Sequence, residues 1–271
     1  MQKLINTFMK TFFLQILLLL SFVFLMSCKK NQANSGTFKT KVTNEIKYAK
    51  GLELHHYDGY SLLKITQAWP GANSNFTYVL KEKNAAIPDS LKQYKSITIP
   101  IQTIVVTSTT HIPALELLGV ENTLKGFPDT DYISSKKTRK LITDGKIKNV
   151  GKNESLNTEV LIDMNPDLIV SFSLNSSNPT LENLKKSGLN VILNGDWTEQ
   201  SPLGRSEWIK FFGALYGLDT KANQIFSEIE KEYLATLAIA KNTTQKPSIL
   251  CGALYQKQWY VPQGESWASL F

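Results

Sequence analysis

Cysteine is scarce. The 271 residues hold two, Cys28 and Cys251. Cys28 ends a long apolar run, and Cys251 lies inside another, "SILCGAL", where it reads as a small buried hydrophobe. That pair leaves no material for a disulfide framework. Histidine is limited to His55, His56 and His111, and no Cys/His spacing of a metal site occurs. His55 and His56 are neighbours on a predicted strand, so they face opposite ways and do not chelate one ion together. A solvated hairpin strand, with no metal, is the expectation there. An arginine-rich stripe is also missing, which argues against nucleic acid as a partner. The formal charge of +7 is dispersed, and without Lys3 and Lys10 it falls to about +5, an excess that serves solubility. There is no Gly-x-Ser-x-Gly nucleophile elbow. Ser108 and His111 of "STTH" stand three residues apart at a strand end, so the chain is not expected to be an enzyme. No catalytic residue and no cofactor is assigned.

What is present begins at the N-terminus. "MQKLINTFMK" is basic, and "TFFLQILLLLSFVFLMSC" carries no charge until Lys29. This is the layout of a secretory signal. The uncharged stretch approaches the ~20 residues of a membrane span, so its ending decides. Leu25-Met26-Ser27-Cys28 resembles a bacterial lipobox. That resemblance implies a signal peptide over 1–27 and a diacylated Cys28 that holds the chain to a membrane of the bacterial envelope. Residues 28–45 then form a flexible polar tether.

The domain opens with β-like sequence: Asp58-Gly59 between alternating segments predicts a hairpin, and "NFTYVLKEKN" a further strand. From Ile97 onward strands and helices alternate. "IQTIVVTST" is a strand; "HIPALELLGV" is a helix with Pro113 near its start and Gly119 at its end; "TLKGF" is a second strand. Ser134 and Ser135 cap a basic helix that Gly145 closes. In "LNTEVLIDMNPDLIVSF" Asn157 caps a helix, Pro166 forces it to stop, and Leu168–Val170 restart as a strand buried on both faces. "NPTLENLKKSG" and "LNVILNGD" supply the next helix and strand. The pattern predicts a parallel, helix-covered sheet. Ligands of such sheets bind beyond the carboxyl ends of the strands. The candidate lining is therefore residues 108–111, 126–132, 173–177 and 194–199. A short helix with Trp208, Phe211, Phe212 and Leu215 on one side follows, with Trp208 read as core. A long helix capped by Thr220 then runs to about Lys241, and "PSILCGALY" reads as a new strand.

Five stretches together resemble the helical-backbone class of ABC-transporter substrate-binding proteins. They are "IVVTSTTHIPALELLGVENTLKGF", "NVGKNESLNTEVLIDMNPDLIV", "LENLKKSGLNVIL", "WIKFFGALYGLDTKANQIFSEIE" and "WYVPQGESWASLF". They occur in the family's order, from about Ile46 onward. The resemblance implies an α/β fold of two lobes with parallel sheets flanked by helices, joined by one long helix. It implies an N-terminal lobe over 46–219, an interlobe helix over 220–242, and the start of a second lobe over 246–271 that is incomplete against the family's length. It implies capture of an iron–siderophore, haem or corrinoid between the lobes, and delivery to an inner-membrane permease and its ATPase. A monomer is expected. Thr109, Thr110, Tyr132, Trp197 and Arg205 of the first lobe and Trp259 of the second are the expected lining. Arg205 is read as opening a helix, where a cation opposes the dipole; it either meets an anionic ligand group or pairs with Glu199 or Glu207. Trp197 is either a platform for the ligand or a structural tryptophan. Where the family places a docking acid before the Val-Gly link, this chain has Ile147-Lys148-Asn149, so Asp144 and Glu154 are the substitutes. A receptor or adhesin lipoprotein of the same fold, uncoupled from transport, is the rival reading.

Overall fold

The computed structural model of the protein describes residues 44–245, 247–262, 264 and 266. The expected signal peptide, the lipidated Cys28 and the tether through residue 43 lie outside the described residues.

Two sheets make the body. In the first, β1 (Leu52–Tyr57) and β2 (Tyr60–Ile65) form the expected hairpin, with Tyr57 opposite Tyr60 and Gly59 at φ 75°. β3 (Phe76–Glu82) pairs antiparallel with β2, and β4 (Lys95–Ile99) runs parallel to β3. β4 was not expected. Ile97 is its one buried residue, so "KSITI" carries too little apolar pattern to announce a strand.

The second sheet is wholly parallel. β5 (Ile104–Val106) starts in its middle. The chain then passes through helix α1 (His111–Leu118) to β6 (Leu124–Phe127), and through α2 (Lys136–Thr143) to the short β7 (Lys148–Asn149). A small hairpin, β8 (Gly151–Lys152) with β9 (Ser155–Leu156), leads into α3 (Thr158–Met164). The chain returns on the other side of β5 as β10 (Leu168–Ser171), and α4 (Pro179–Lys186) brings it to β11 (Val191–Leu193). The order is β11-β10-β5-β6-β7, so the winding reverses between β5 and β10. Such a switch point opens a crevice at the carboxyl edge.

The stops and starts are chemical. Ser135, Asn157 and Asn178 accept hydrogen bonds from the first-turn amides of α2, α3 and α4. Asn165, at φ 43°, ends α3, and Pro166-Asp167 turns the chain into β10. Asp167 Oδ2 accepts from the amides of Gln102 (2.7 Å) and Thr103 (2.9 Å), while Thr103 Oγ1 accepts from the Asp167 amide (2.9 Å). This double link sets Leu168 opposite Ile104 and fixes the register of the two central strands.

Three helices follow. α5 (Pro202–Glu207) and α6 (Ile209–Tyr216) are separate, broken at Trp208. Arg205 therefore sits in the last turn of α5, where a cation suits the dipole; the expectation that it opens a helix is corrected by this break. α7 spans Asp219–Asn242, with Leu218 rather than Thr220 at its cap position. Ala222 and Phe226 bury its first half, whereas Leu234, Leu237 and Ile239 are exposed in its second. Beyond it, β12 (Ala253–Tyr255) pairs with β13 (Gln258–Tyr260) alone. Among the described residues Cys251 is exposed, not buried as its apolar neighbours suggest, and Ile249 and Leu250 beside it are exposed as well.

Two buried glutamates clamp the start of the domain. Glu207 accepts from the amides of Lys47, Tyr48 and Ala49, and Glu199 from those of Lys50 and Gly51. Five consecutive backbone donors are thus satisfied by two side chains from the far end of the lobe.

Candidate functional site

The strand ends of the parallel sheet carry hydroxyls. Thr107 Oγ1 and Ser171 Oγ, at the ends of the paired strands β5 and β10, are buried and 2.9 Å apart. Past them the chain rises through Ser108 and Thr110, whose hydroxyls are 2.8 Å apart, into α1. The Ser108 hydroxyl thus pairs with Thr110, not with His111. The His111 ring is fully buried against Phe212, with centroids 5.5 Å apart.

A cleft of about 290 Å³ opens beside this edge. Thr110, Pro113, Ala114 and Leu117 of α1 form one wall. Arg205, Ser206, Trp208, Ile209 and Phe212 also line the cleft. Asp196, just past β11, and Ile229 of α7 complete it. The lining is chiefly apolar, with one acid and one cation, which is the composition of a small-molecule site.

Arg205 is built into the loop below it. Its Nε donates to the Glu199 carbonyl (3.0 Å) and its Nη2 to the Trp197 carbonyl (2.7 Å). The nearby carboxylates Asp196 and Glu199 also act on its charge. Glu199 Oε1 takes the Trp208 indole N–H at 3.1 Å, and Glu207 takes Lys210 at 3.0 Å. Arg205 therefore holds the Asp196–Glu199 turn against α5, and does so with backbone carbonyls as partners.

Several buried polar atoms have no partner in good hydrogen-bond geometry among the described residues: both His111 ring nitrogens, with Asn194 close by, and Asn194 Nδ2, Asp196 Oδ1 and Trp197 Nε1. Burial pushes the His111 pKa down, against the opposing influence of Asp196 and Asn194. A neutral His111 has a consequence for stability. Below its ordinary value of 6.5 the unfolded chain takes up a proton that the folded chain resists, so stability falls as pH falls. His111→Leu is expected to lose less melting temperature than the parent between about pH 7 and about pH 5, measured by thermal denaturation.

Of the expected lining residues, Thr110 and Arg205 meet at the cleft, joined by Asp196 from the expected 194–199 segment. Thr109 is exposed one residue before it. Tyr132 is 74% exposed in a turn after β6, and Trp259 is 50% exposed on β13; neither lines the cleft. Trp197 is half-buried behind the Arg205 contact and also does not line it. Trp208, expected in the core, is buried and also walls the cleft. Asp144 precedes β7 and pairs with Lys140 at 3.0 Å, while Glu154 is exposed between β8 and β9. Ala114, Leu117 and Ile229 were missed, since an apolar residue on a helix signals packing in general and not a cleft wall.

Comparison with known proteins bears on this architecture. An uncharacterized lipoprotein of Methanocaldococcus jannaschii is 25% identical over 262 residues, covering 89% of this chain and 62% of its own. An uncharacterized protein of the same organism is 28% identical over 186 residues, covering 66% of this chain and 56% of its own. The chain thus spans little more than half to three fifths of the length of these curated relatives. The crystal structure of a periplasmic binding protein from Veillonella parvula superposes with a TM-score of 0.54 at 16% identity, over 77% of this chain and 62% of that one. Its likeness is one of fold. The sequence profile described as "Periplasmic binding protein" matches residues 104–271, which take in the parallel sheet, the cleft and α7. With the winding of the sheet, the cleft at its carboxyl edge and this match in hand, the chain belongs to the periplasmic binding protein family.

Proposed function

We propose that the protein is the substrate-binding lipoprotein of an ABC importer, capturing an iron–siderophore, haem or corrinoid. The observation that carries the reading is the cleft at the carboxyl edge, with its apolar walls, its hydroxyl at Thr110, the acid of Asp196 and the cation of Arg205. A flat metal chelate with polar or anionic edges suits such a lining. Family membership supports a binding role over a catalytic one. The "lipoprotein" in the name of the first relative supports anchoring through Cys28 after removal of residues 1–27. In this reading the tether covers 28–45, the first lobe 46–219 and the interlobe helix 220–242, and the second lobe begins at 246. Thr110 and Arg205 are the first-lobe contacts proposed from the cleft. Thr109, Tyr132, Trp197 and Trp259 are proposed to reach the ligand from outside it, and Asp144 and Glu154 to meet the permease.

The test mixes the purified full-length chain with cobalamin, haemin and a panel of ferric siderophores. Visible spectra after desalting report what stays bound. Retention of one class at about one equivalent is the expected result. A folded protein that retains none would turn the reading toward a receptor uncoupled from chelate import.

A further inference from the structure

His55 and His56 have separate partners: His55 Nε2 contacts Glu53 at 3.0 Å, and His56 Nε2 meets Glu45. His56 has a second acidic neighbour from far along the chain, Asp219 of α7, with its Oδ1 4.0 Å from His56 Nε2. Glu45, His56 and Asp219 each bring one ligand atom within 4.8 Å of the other two. They come from the clamped N-terminal segment, from β1 and from the first residue of α7.

The surroundings are those of a ligand set. His56 Nδ1 lies 2.9 Å from Ser61 Oγ, which orients the ring so that Nε2, the donor to Glu45 while it holds a proton, is the nitrogen that faces the two carboxylates. Glu45 Oε1 accepts from the Asn223 side-chain amide, which orients the carboxylate and leaves Oε2 facing the ring. Asp219 Oδ1 is buried and has no hydrogen-bond donor among the described residues. The side chains of His56 and Asp219 are 39% and 36% exposed, so an ion has a path in. Lys210, the nearby cation, is engaged with the Glu45 carbonyl and with Glu207.

We propose that Glu45, His56 and Asp219 bind one divalent transition-metal ion, with zinc as the best match. One imidazole and two carboxylates, with a fourth position open to water, suit such an ion better than calcium or magnesium, which take all-oxygen sets. Metal–ligand bonds of about 2.0–2.2 Å set ligand atoms roughly 3.3–3.6 Å apart around a tetrahedral ion, so the Glu45 and His56 atoms must part and Asp219 Oδ1 must draw in from 4.0 Å, which rotation of the half-exposed side chains allows. Two carboxylates outweigh the positive helix end at Asp219. The ion would rivet the N-terminal segment, β1 and α7 together on the side of the lobe where Glu207 clamps the same segment.

The test is calorimetric titration of the chelator-treated full-length chain with zinc chloride alone, followed by the visible spectrum with cobalt chloride. The expected result is one equivalent of zinc, and cobalt bands without sulfur-to-cobalt charge transfer. His56→Gln and Asp219→Asn should each weaken binding more than about tenfold, and Ser61→Ala by about tenfold, with circular dichroism unchanged. His55→Gln and Cys251→Ser should leave binding as in the parent. Absence of saturable binding overturns the proposal. So does an equivalent that survives His56→Gln, or one lost with His55→Gln or Cys251→Ser.

Discussion

Glu207→Ala is expected to destabilise the lobe by about 3–5 kcal/mol. Its carboxylate is wholly buried, and it accepts from the amides of Lys47 at 2.9 Å, Tyr48 at 2.6 Å and Ala49 at 2.9 Å, and from Lys210 Nζ at 3.0 Å. Truncation leaves three amides without their acceptor and a nearly buried ammonium without its counter-ion, holding only the Glu45 carbonyl. Each stranded neutral donor costs about 1–3 kcal/mol where water cannot reach it, and a buried ion left unpaired costs more. Part of the loss is recovered because the segment around Lys47 can lift into solvent. The expected fall in melting temperature is on the order of 10 °C for a domain of this size. Glu207→Gln should lose nearly as much, since an amide presents one acceptor oxygen where the carboxylate presents two. Thermal and urea denaturation check both variants. A change below about 1 kcal/mol would mean that the clamp contributes no more than a surface pair.

Gly195→Ala is expected to cost about 3 kcal/mol and to weaken ligand retention together with stability. A Cβ at this position would stand 2.1 Å from the Gln67 carbonyl oxygen and 3.1 Å from its carbon. Both are backbone, so no side chain can swing aside. The Asp196–Glu199 turn would have to move away from the first sheet. That turn carries Asp196 into the cleft and is held from the other side by Arg205. By contrast, an alanine at Gly188 meets nothing within 4 Å and bears only the strain of φ 87°, about 1–2 kcal/mol. Gly188→Ala should therefore lower the melting temperature modestly and leave ligand retention intact.

The parallel sheet was legible because its signals are local. Apolar runs at Val105 and Ile169, caps at Ser135 and Asn157, and stops at Gly119 and Pro166 each act within a few residues. What was missed acts at long range. Glu199 and Glu207 bind backbone amides near residue 50, and no periodicity records a contact between a side chain and a distant main chain. The break at Trp208 was hidden because helix propensity runs through it, and tertiary packing of the buried indole decides the bend. For the site, the strand-end rule found Thr110 and Asp196 because topology alone dictates where those ends lie. Arg205 was found as a cation near the edge, but its backbone partners and its place in a last turn needed coordinates. The wall residues Ala114 and Ile229 needed them too.

The most direct measurement of the central claim is chelate retention by the full-length chain carrying Ala114→Trp, set beside the parent. The indole would fill the cleft that α1 lines together with Trp208 and Phe212. The account predicts that the parent retains one coloured chelate and that the folded variant loses at least about tenfold in affinity, a change of ~1.4 kcal/mol or more. If the parent retains a chelate and Ala114→Trp retains it equally well, the carboxyl-edge cleft is not where this protein holds its ligand.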